Sequence, residues 1–298
     1  MTRQLVLNIN QNYYSALSRF FSPKVLDSIV ETGASPFLTE VCKKSGLVDQ
    51  LPLSTSFGSF LDLVHKFLFR NYRNEYIYKN AIANKILLGK HSLNTAQMLT
   101  EFRAGKCKAD VVILNGSSTV YEIKSEYDSF KRLEKQISEY LKVFDQIYVI
   151  TSDHQIKELT QLLPSQIGIL SLTRGNTIKT IRESFSNLQN IKADIMFNSL
   201  RKSEYINVIQ DHFGFVPDVP NTQLFKECKK LYCNIPIETA NKLTVQALKN
   251  RTHNSILKRY IKIIPSSLTA YVLGKYSTQY KLERFTSLLG MRLDHFLS

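Results

Sequence analysis

The sequence predicts an α/β fold built on a mixed β-sheet, and three observations support this. Between residues 57 and 88 the apolar residues recur at three- and four-residue steps, the pattern of one long helix or two consecutive helices. Three short segments rich in β-formers follow, separated by turn-forming residues, and they indicate an antiparallel meander. These strands are placed at 96–103, 109–114 and 119–125. A helix at 129–144 then leads into the apolar strand 146–151, which completes an αβββαβ order.

The rest of the chain is predicted to be largely helical and divides it into three parts. Residues 1–55 contain proline and glycine at short intervals, which predicts short helices joined by turns. Residues 56–190 hold the α/β core, which ends with a helix and two further strands. Residues 191–298 form an all-helical C-terminal region punctuated by prolines. Its helices are placed at 193–212, 221–232, 237–250, 253–263 and 276–289.

Charge points to a polyanionic partner. The chain carries 39 Lys and Arg against 25 Asp and Glu, a net charge of +14. Residues 192–298 hold 16 basic and 8 acidic residues, so 16 − 8 = +8 of this surplus lies there. We expect nucleic acid to be bound, with basic residues of this region adding affinity, for example Lys229, Lys230, Arg251, Lys258 and Arg259. A protein partner or a homo-oligomer remains open.

Composition also sets the expected compartment. There is no run of eighteen apolar residues, which argues against a membrane partner, and Met1–Asn10 lacks the pattern of a secretory signal. The four cysteines are too few and too scattered for a disulfide framework, which favours a reducing environment. We therefore expect a cytoplasmic protein.

A short charged motif lies in the third predicted strand. Strand alternation puts Glu122 and Lys124 on one face, and Asp110 opens the preceding strand, so a hairpin brings the three together. Two carboxylates can hold a divalent cation at a phosphate, and a lysine can orient the attacking water. The alternative is a surface ion pair, which is common. We expect these side chains to lie outside the core, so that their removal leaves the fold intact.

The whole arrangement resembles the PD-(D/E)XK nuclease superfamily over roughly residues 57–151, although Ala109 replaces the proline of that motif. The resemblance implies a restriction-endonuclease-like core and a nuclease that hydrolyses phosphodiester bonds in DNA. It implies Mg²⁺ or Mn²⁺ as the cofactor, with Asp110 and Glu122 as metal ligands and Lys124 beside the water. Phage defence is one expected role of such stand-alone nucleases.

Further residues extend the resemblance. Glu75, on the preceding helix, matches an additional metal-binding acid, and Glu101 is its rival on the first strand of the meander. Gln136 and Tyr140 form a Q-x-x-x-Y pair one helical turn apart, which looks like the substrate-binding motif of the RecB-like branch. The alternatives are a solvated helix acid for Glu75, a cross-strand ion pair for Glu101, and the rim of a buried stripe for the Gln and Tyr pair.

Basic residues beside the motif complete the expected site. Lys131 and Arg132 are candidates for phosphate contacts, although charged helix faces are usually only solvated. Two other functions remain open: an RNase with the same site, and a catalytically silent nuclease-fold module that binds nucleic acid or a protein, of an immunity or regulatory type.

Side-chain parity in the hairpin decides whether the site can form. A two-residue turn at Gly116-Ser117 puts Asp110 opposite Ile123, on the wrong face for Glu122. An odd loop, such as Gly116–Ser118, or a bulge puts both acids on one face. We therefore expect an odd register or a bulge, with the two carboxylates close enough to share one ion.

Overall fold

The structure, a computed structural model, describes residues 7–251, 254–275 and 278–297. The chain forms two compact units. Unit 1 combines Met1–Asn84 with His253–Ser298, and unit 2 is Lys85–Thr252. No helix in the described ranges is both long and apolar enough to cross a membrane.

Unit 1 begins with the short helices that its prolines and glycines predict. The side chains of Ser22 and Ser35 cap the second and third helices, each with a proline at its first turn, and Gly33 ends the second with φ 78°. The helices are α1 (Tyr14–Ser18), α2 (Pro23–Thr32), α3 (Pro36–Lys44), α4 (Phe57–Asn71) and α5 (Glu75–Ala81). The helical stretch predicted at 57–88 is thus two consecutive helices. It continues as a π-helix, Ile82–Leu87, and ends in α6 (Leu88–Lys90).

Unit 2 is built on a six-stranded sheet whose spatial order follows the chain. The strands are β1 (Gln97–Ala104), β2 (Cys107–Leu114), β3 (Ser118–Ile123), β4 (Gln146–Thr151), β5 (Gly168–Leu172) and β6 (Ile178–Arg182). The first three strands form the antiparallel meander. Strands β3, β4 and β5 are parallel, and β6 returns antiparallel to β5. The predicted α/β class, the mixed sheet and the αβββαβ order of elements along the chain are confirmed.

One face of this sheet carries six helices of unit 2. The helices are α7 (Leu133–Tyr140), α8 (Ile156–Leu162), α9 (Ala193–Phe197), α10 (Lys202–Phe213), α11 (Asn221–Cys233) and α12 (Ile237–Lys249). Helices α7 and α8 are the crossovers that parallel neighbours require. Their apolar residues share one buried core with Val120 of β3, Val149 of β4, Tyr205 of α10 and Tyr232 of α11. Strand β3, which carries Glu122 of the charged motif, therefore packs against α7.

Two helix predictions need correction in their extent. The helix predicted at 129–144 is shorter, because a 3₁₀ turn, Phe130–Arg132, precedes α7. The helix predicted at 193–212 is two helices, α9 and α10, which are separated before Lys202. The start of α10 is marked by a capping arrangement in which the Glu204 side chain accepts a hydrogen bond of 2.7 Å from the Arg201 N–H. Positions 253 and 276, the predicted starts of the last two helices, lie outside the described residues.

The last helices belong to unit 1. They are α13 (Asn254–Tyr260), α14 (Thr269–Lys275) and α15 (Gln279–Gly290). Tyr271 donates to Asp27 Oδ1 at 2.7 Å, and the Ala270 N–H donates to Asn80 Oδ1 at 3.0 Å. The compact units thus divide the chain at 84/85 and 252/253, whereas the sequence-based division lies at 55/56 and 190/191.

The β2–β3 hairpin has the odd register that the site requires. Leu114 pairs with Ser118, which leaves a three-residue loop, and the ladder continues to Val111 opposite Tyr121. The expectation of an odd register is confirmed, although the loop begins one residue earlier than in the example of Gly116–Ser118. One step further along the same register, Asp110 falls opposite Glu122 itself.

Glu101 and Asp110 fall opposite each other in the β1–β2 register, between the pairs Thr100 with Val111 and Phe102 with Ala109. Glu101 has φ 54°, in the left-handed region. This conformation is uncommon for a residue with a side chain and tends to occur at functional sites.

This backbone conformation gives a test of stability. We expect Glu101→Gly to be more stable than Glu101→Val by roughly 1–3 kcal/mol, because only glycine adopts a positive φ without strain. Urea unfolding of the two variants measures the difference. At Arg103, an exposed position of the same strand, the order should reverse, because strands favour valine over glycine. If the glycine and valine variants had the same order of stability at both positions, the result would contradict backbone strain at Glu101.

Candidate functional site

The centre of the candidate site is a buried ion pair on β3. Lys124 Nζ lies 2.8 Å from Glu122 Oε1, and the two residues are only 5% and 1% exposed. The expectation that these side chains lie outside the core is therefore wrong for both. Alternation correctly placed them on one face, but it gave no information about α7, which covers that face.

Helix α7 supplies the partners that make this burial tolerable. Gln136 donates to Glu122 Oε1 at 2.5 Å and accepts from Lys124 Nζ at 2.9 Å. Tyr140, fully buried, donates to Glu122 Oε2 at 2.7 Å. The predicted Q-x-x-x-Y pair is thus assembled around the predicted acid. One helical turn separates its members, which lets both reach one carboxylate.

The tyrosine hydroxyl also fixes the position of the neighbouring strand. Tyr140 Oη lies 2.9 Å from the Lys108 carbonyl oxygen of β2 as well as near Glu122. Burial raises the pKa of Tyr140, and the adjacent Glu122 and Asp110 carboxylates raise it further. The hydroxyl therefore keeps its proton and acts as a donor throughout the physiological pH range.

Asp110 lies across from this pair at the point where β2 leaves β3. Its Oδ2 accepts a hydrogen bond of 2.7 Å from the Ile123 N–H, which takes the place of the next ladder contact. The bond ties the half-buried aspartate to the middle residue of the E-x-K motif. The hairpin thus places Asp110 against the E-x-K strand, whereas an ion shared by the Asp110 and Glu122 carboxylates stays a prediction.

Glu101 joins the site from β1. One of its carboxylate oxygens lies within 4.8 Å of one from Asp110, and its Oε2 lies 3.2 Å from Lys108 Nζ. Glu101 is exposed. The sequence left two roles open for Glu101, a cross-strand ion pair and an additional acid of the site. The structure contains the ion pair with Lys108 and also places Glu101 near Asp110.

Three other predicted residues lie in helical segments outside the sheet. Glu75 lies in unit 1, where it begins α5 and pairs with Lys79 at 2.9 Å, so its role as an additional ligand stays a prediction. Lys131 and Arg132 lie in the 3₁₀ turn before α7, and both are exposed. They directly precede α7, the helix whose side chains bind Glu122. A phosphate contact by them also stays a prediction.

Some residues that shape the site escaped the sequence analysis. Thr151, at the end of β4, is fully buried and donates to the Lys124 carbonyl oxygen at 2.7 Å. Asp128 accepts from the Ser125 N–H and hydroxyl at 2.9 and 2.6 Å, which fixes the chain directly after Lys124. A hydroxyl residue that ends the strand neighbouring the motif was the available signal for Thr151.

The basic residues of the C-terminal region are divided between the two units. Arg251 is bound to Glu204 by two hydrogen bonds of 2.6 and 2.7 Å, and its side chain is 13% exposed. It packs over the Phe102 ring at 5.3 Å and so has a structural role, while its contribution to nucleic-acid affinity stays a prediction. Lys229 and Lys230 belong to unit 2, whereas Lys258 and Arg259 belong to unit 1.

The buried pair predicts a characteristic pattern of stabilities. Lys124→Met should cost about 3–5 kcal/mol, because it leaves the Glu122 carboxylate buried without its cation. The double variant Glu122→Gln/Lys124→Met should recover much of this loss, since no net charge is then buried. Urea unfolding measures the cycle, with Lys131→Met as the exposed control within about 0.5 kcal/mol of the parent. If the loss of stability in the double variant equalled the sum of the losses in the two single variants, the result would argue against an ion pair between Glu122 and Lys124.

The chain is similar to a protein of bacteriophage P4. It is 23% identical over 159 residues to protein cII of Enterobacteria phage P4, an alignment that covers 51% of this chain and 58% of that relative. The chain thus spans little more than half the length of the curated relative. A solved protein of unknown function from Silicibacter pomeroyi shares 22% identity, covers 31% of this chain and 62% of its own, and has a TM-score of 0.26, which is too low to carry an argument. The model of the family described as bacteriophage P4 protein cII matches residues 69–271. Since that match includes more than half of the 298 residues, the chain belongs to the bacteriophage P4 protein cII family.

Proposed function

We propose that unit 2 is a metal-dependent nuclease that hydrolyses phosphodiester bonds in DNA. The observation that carries this proposal is the buried Glu122 and Lys124 pair, which is held by Gln136 and Tyr140 and faces Asp110 on the adjacent strand. A carboxylate this deeply buried costs free energy, and an ordered carboxylate next to a second acid suits the binding of a hard cation.

The residues present fit Mg²⁺ or Mn²⁺. A carboxylate offers roughly four lone-pair positions, and the three donors on Glu122 leave room for one more contact. Asp110 and Glu101 have carboxylate oxygens within 4.8 Å of each other, a group to which Glu122 does not belong, and they offer the oxygen ligands that such ions prefer. When bound, the ion neutralises the phosphate and activates water.

The remaining steps belong to the side chains. Gln136 and Tyr140 orient the Glu122 carboxylate, so that little reorganisation is needed when substrate arrives. Lys124 places a positive charge at the same carboxylate, where it can orient the attacking water or stabilise charge that develops on the phosphate. The exposed Lys131 and Arg132 lie at the start of the same helix element and can contact the phosphate backbone.

A second candidate is a catalytically silent module that binds nucleic acid. The observation that favours it is the burial of the pair, because a network in which Glu122, Lys124, Gln136 and Tyr140 satisfy one another can serve the fold alone. The two functions differ in one measurable respect, the dependence of cleavage on Glu122 and on metal. An RNase with the same site differs only in its substrate.

Cleavage assays test the nuclease directly. Full-length protein with labelled linear and circular DNA should cut in Mg²⁺ or Mn²⁺ and not in EDTA. Glu122→Gln and Asp110→Asn should each lower the cleavage rate at least roughly a hundredfold, because a metal ligand supplies several kcal/mol of charge stabilisation. The matched control is Glu134→Gln, an exposed carboxylate of α7, which should cut at the parental rate.

Each result in that assay decides between the candidates. Cleavage that survives EDTA or the Glu122 variant removes the metal mechanism. Metal-independent binding of DNA without any cleavage, in protein with a normal melting curve, favours the silent module. RNA cut in place of DNA reassigns the substrate and keeps the site.

The α7 residues should act through Glu122. We expect Gln136→Ala and Tyr140→Phe to lower activity 10- to 100-fold, because each loosens a metal ligand without removing it. Titration with Mn²⁺ distinguishes this positioning role, since a higher metal concentration should restore part of the rate. Equal loss at every metal concentration would contradict it. Ser138→Ala, on the exposed face of the same helix, is the control.

A further inference from the structure

A groove of about 620 Å³ lies beside the site, within unit 2. Four segments line it. The β1–β2 hairpin contributes Arg103 and Lys106, and α7 with the residues after it contributes Glu139 and Lys142. The end of α9 contributes Asn198, and α11 contributes Phe225. This volume is within the range of sites that hold one small organic group.

The groove is joined to the candidate catalytic residues through α7. Glu139 accepts from the Lys106 N–H at 3.0 Å and pairs with Lys142 at 2.6 Å. The next residue, Tyr140, donates to Glu122. Gly105, with φ 56°, allows the hairpin tip to approach α7, because a Cβ there would collide with the Glu139 carboxylate. The lining of the groove therefore includes the residue that directly precedes Tyr140 on α7.

The charges of the groove suit an anion. Arg103 and Lys106 are exposed, and the one lining carboxylate, Glu139, is matched by Lys142 and the Lys106 N–H. Lys229 extends the basic edge, since its Nζ lies 3.1 Å from Asn198 Oδ1. The surplus of positive charge favours a phosphate backbone over a neutral ligand.

One aromatic ring adds a feature that phosphate binding alone does not need. Phe225 is 44% exposed, and its ring packs against Phe197 and Tyr205 at centroid distances of 5.2 and 5.8 Å, which holds it in place. An ordered, exposed ring in a basic groove is a platform on which an unpaired base can stack. A duplex offers only the edges of its bases, so its bases cannot use such a platform.

We propose that this groove binds single-stranded DNA, with Phe225 stacking on one base and Arg103 and Lys106 contacting the backbone. This proposal rests on the proposed function, because it specifies that the DNA reaching Glu122 is single-stranded. The nuclease would then act on single strands or on the single-stranded ends of duplexes.

Binding without cleavage tests the groove. In EDTA, full-length protein is titrated into a fluorescent oligothymidylate of about 16 nucleotides, and anisotropy gives Kd over a series of salt concentrations. Phe225→Leu keeps the apolar contact but removes the stacking ring, so Kd should rise at least roughly fivefold with an unchanged salt slope. Phe225→Tyr should bind like the parent. Phe215→Leu, a control at a ring that is 51% exposed, should also bind like the parent.

The backbone contacts have a different readout. Arg103→Gln/Lys106→Gln should flatten the slope of log K against log salt by about 1.4, since each phosphate contact on a single strand contributes about 0.7. The matched control, Lys157→Gln/Lys179→Gln, neutralises two exposed lysines of α8 and β6 and should leave the slope unchanged.

The outcomes separate this proposal from the proposed function. A Phe225→Leu variant that melts normally and binds the oligothymidylate like the parent overturns the groove, even if the protein cuts DNA. Equal loss on blunt duplex, or a preference for oligouridylate over oligothymidylate, also overturns it. Binding that depends on Phe225 in a protein that never cuts DNA supports the groove and removes the nuclease.

Discussion

The burial of Glu122 with Lys124 constrains the rest of unit 2. A charge pair away from water is stable only if the geometry is good and the remaining polar atoms are satisfied. Helix α7 must therefore dock where Gln136 and Tyr140 reach the pair, and β3 must end where Thr151 meets the Lys124 carbonyl. Because Tyr140 also contacts the Lys108 carbonyl, the same network fixes β2 and with it Asp110.

Much of this geometry could be predicted from local patterns. Strand β4 was placed at its observed residues, and the odd hairpin register followed from the face that the two acids must share. Both predictions depend on the two-residue period of a strand, which is local. The family motif marked Gln136 and Tyr140 as substrate-binding residues, and their contacts with Glu122 were not predicted. Whether the pair binds metal and cuts DNA stays a prediction.

Other features depend on contacts that no local pattern contains. Alternation shows which side chains share a face, but not that α7 seals the face over Glu122. The left-handed backbone of Glu101 has no signal in the residue itself, since glycine or asparagine would be the usual choice there. Arg251 looked like one more surface cation, and only its approach to Glu204 shows otherwise. In each case a distant segment determines the environment of the residue.

The construction of unit 1 from both ends of the sequence has a consequence for synthesis. Helix α14 holds Tyr271 against Asp27, so the first helices wait for partners that the ribosome adds more than two hundred residues later. Unit 2 is continuous and is complete in sequence once Thr252 has been added. At usual rates of translation, the remaining residues follow on the order of seconds later. Until His253–Ser298 has been synthesised, the helices of Met1–Asn84 lack these partners and have apolar surface exposed, so exposure to aggregation and proteolysis falls mainly on the N-terminal helices.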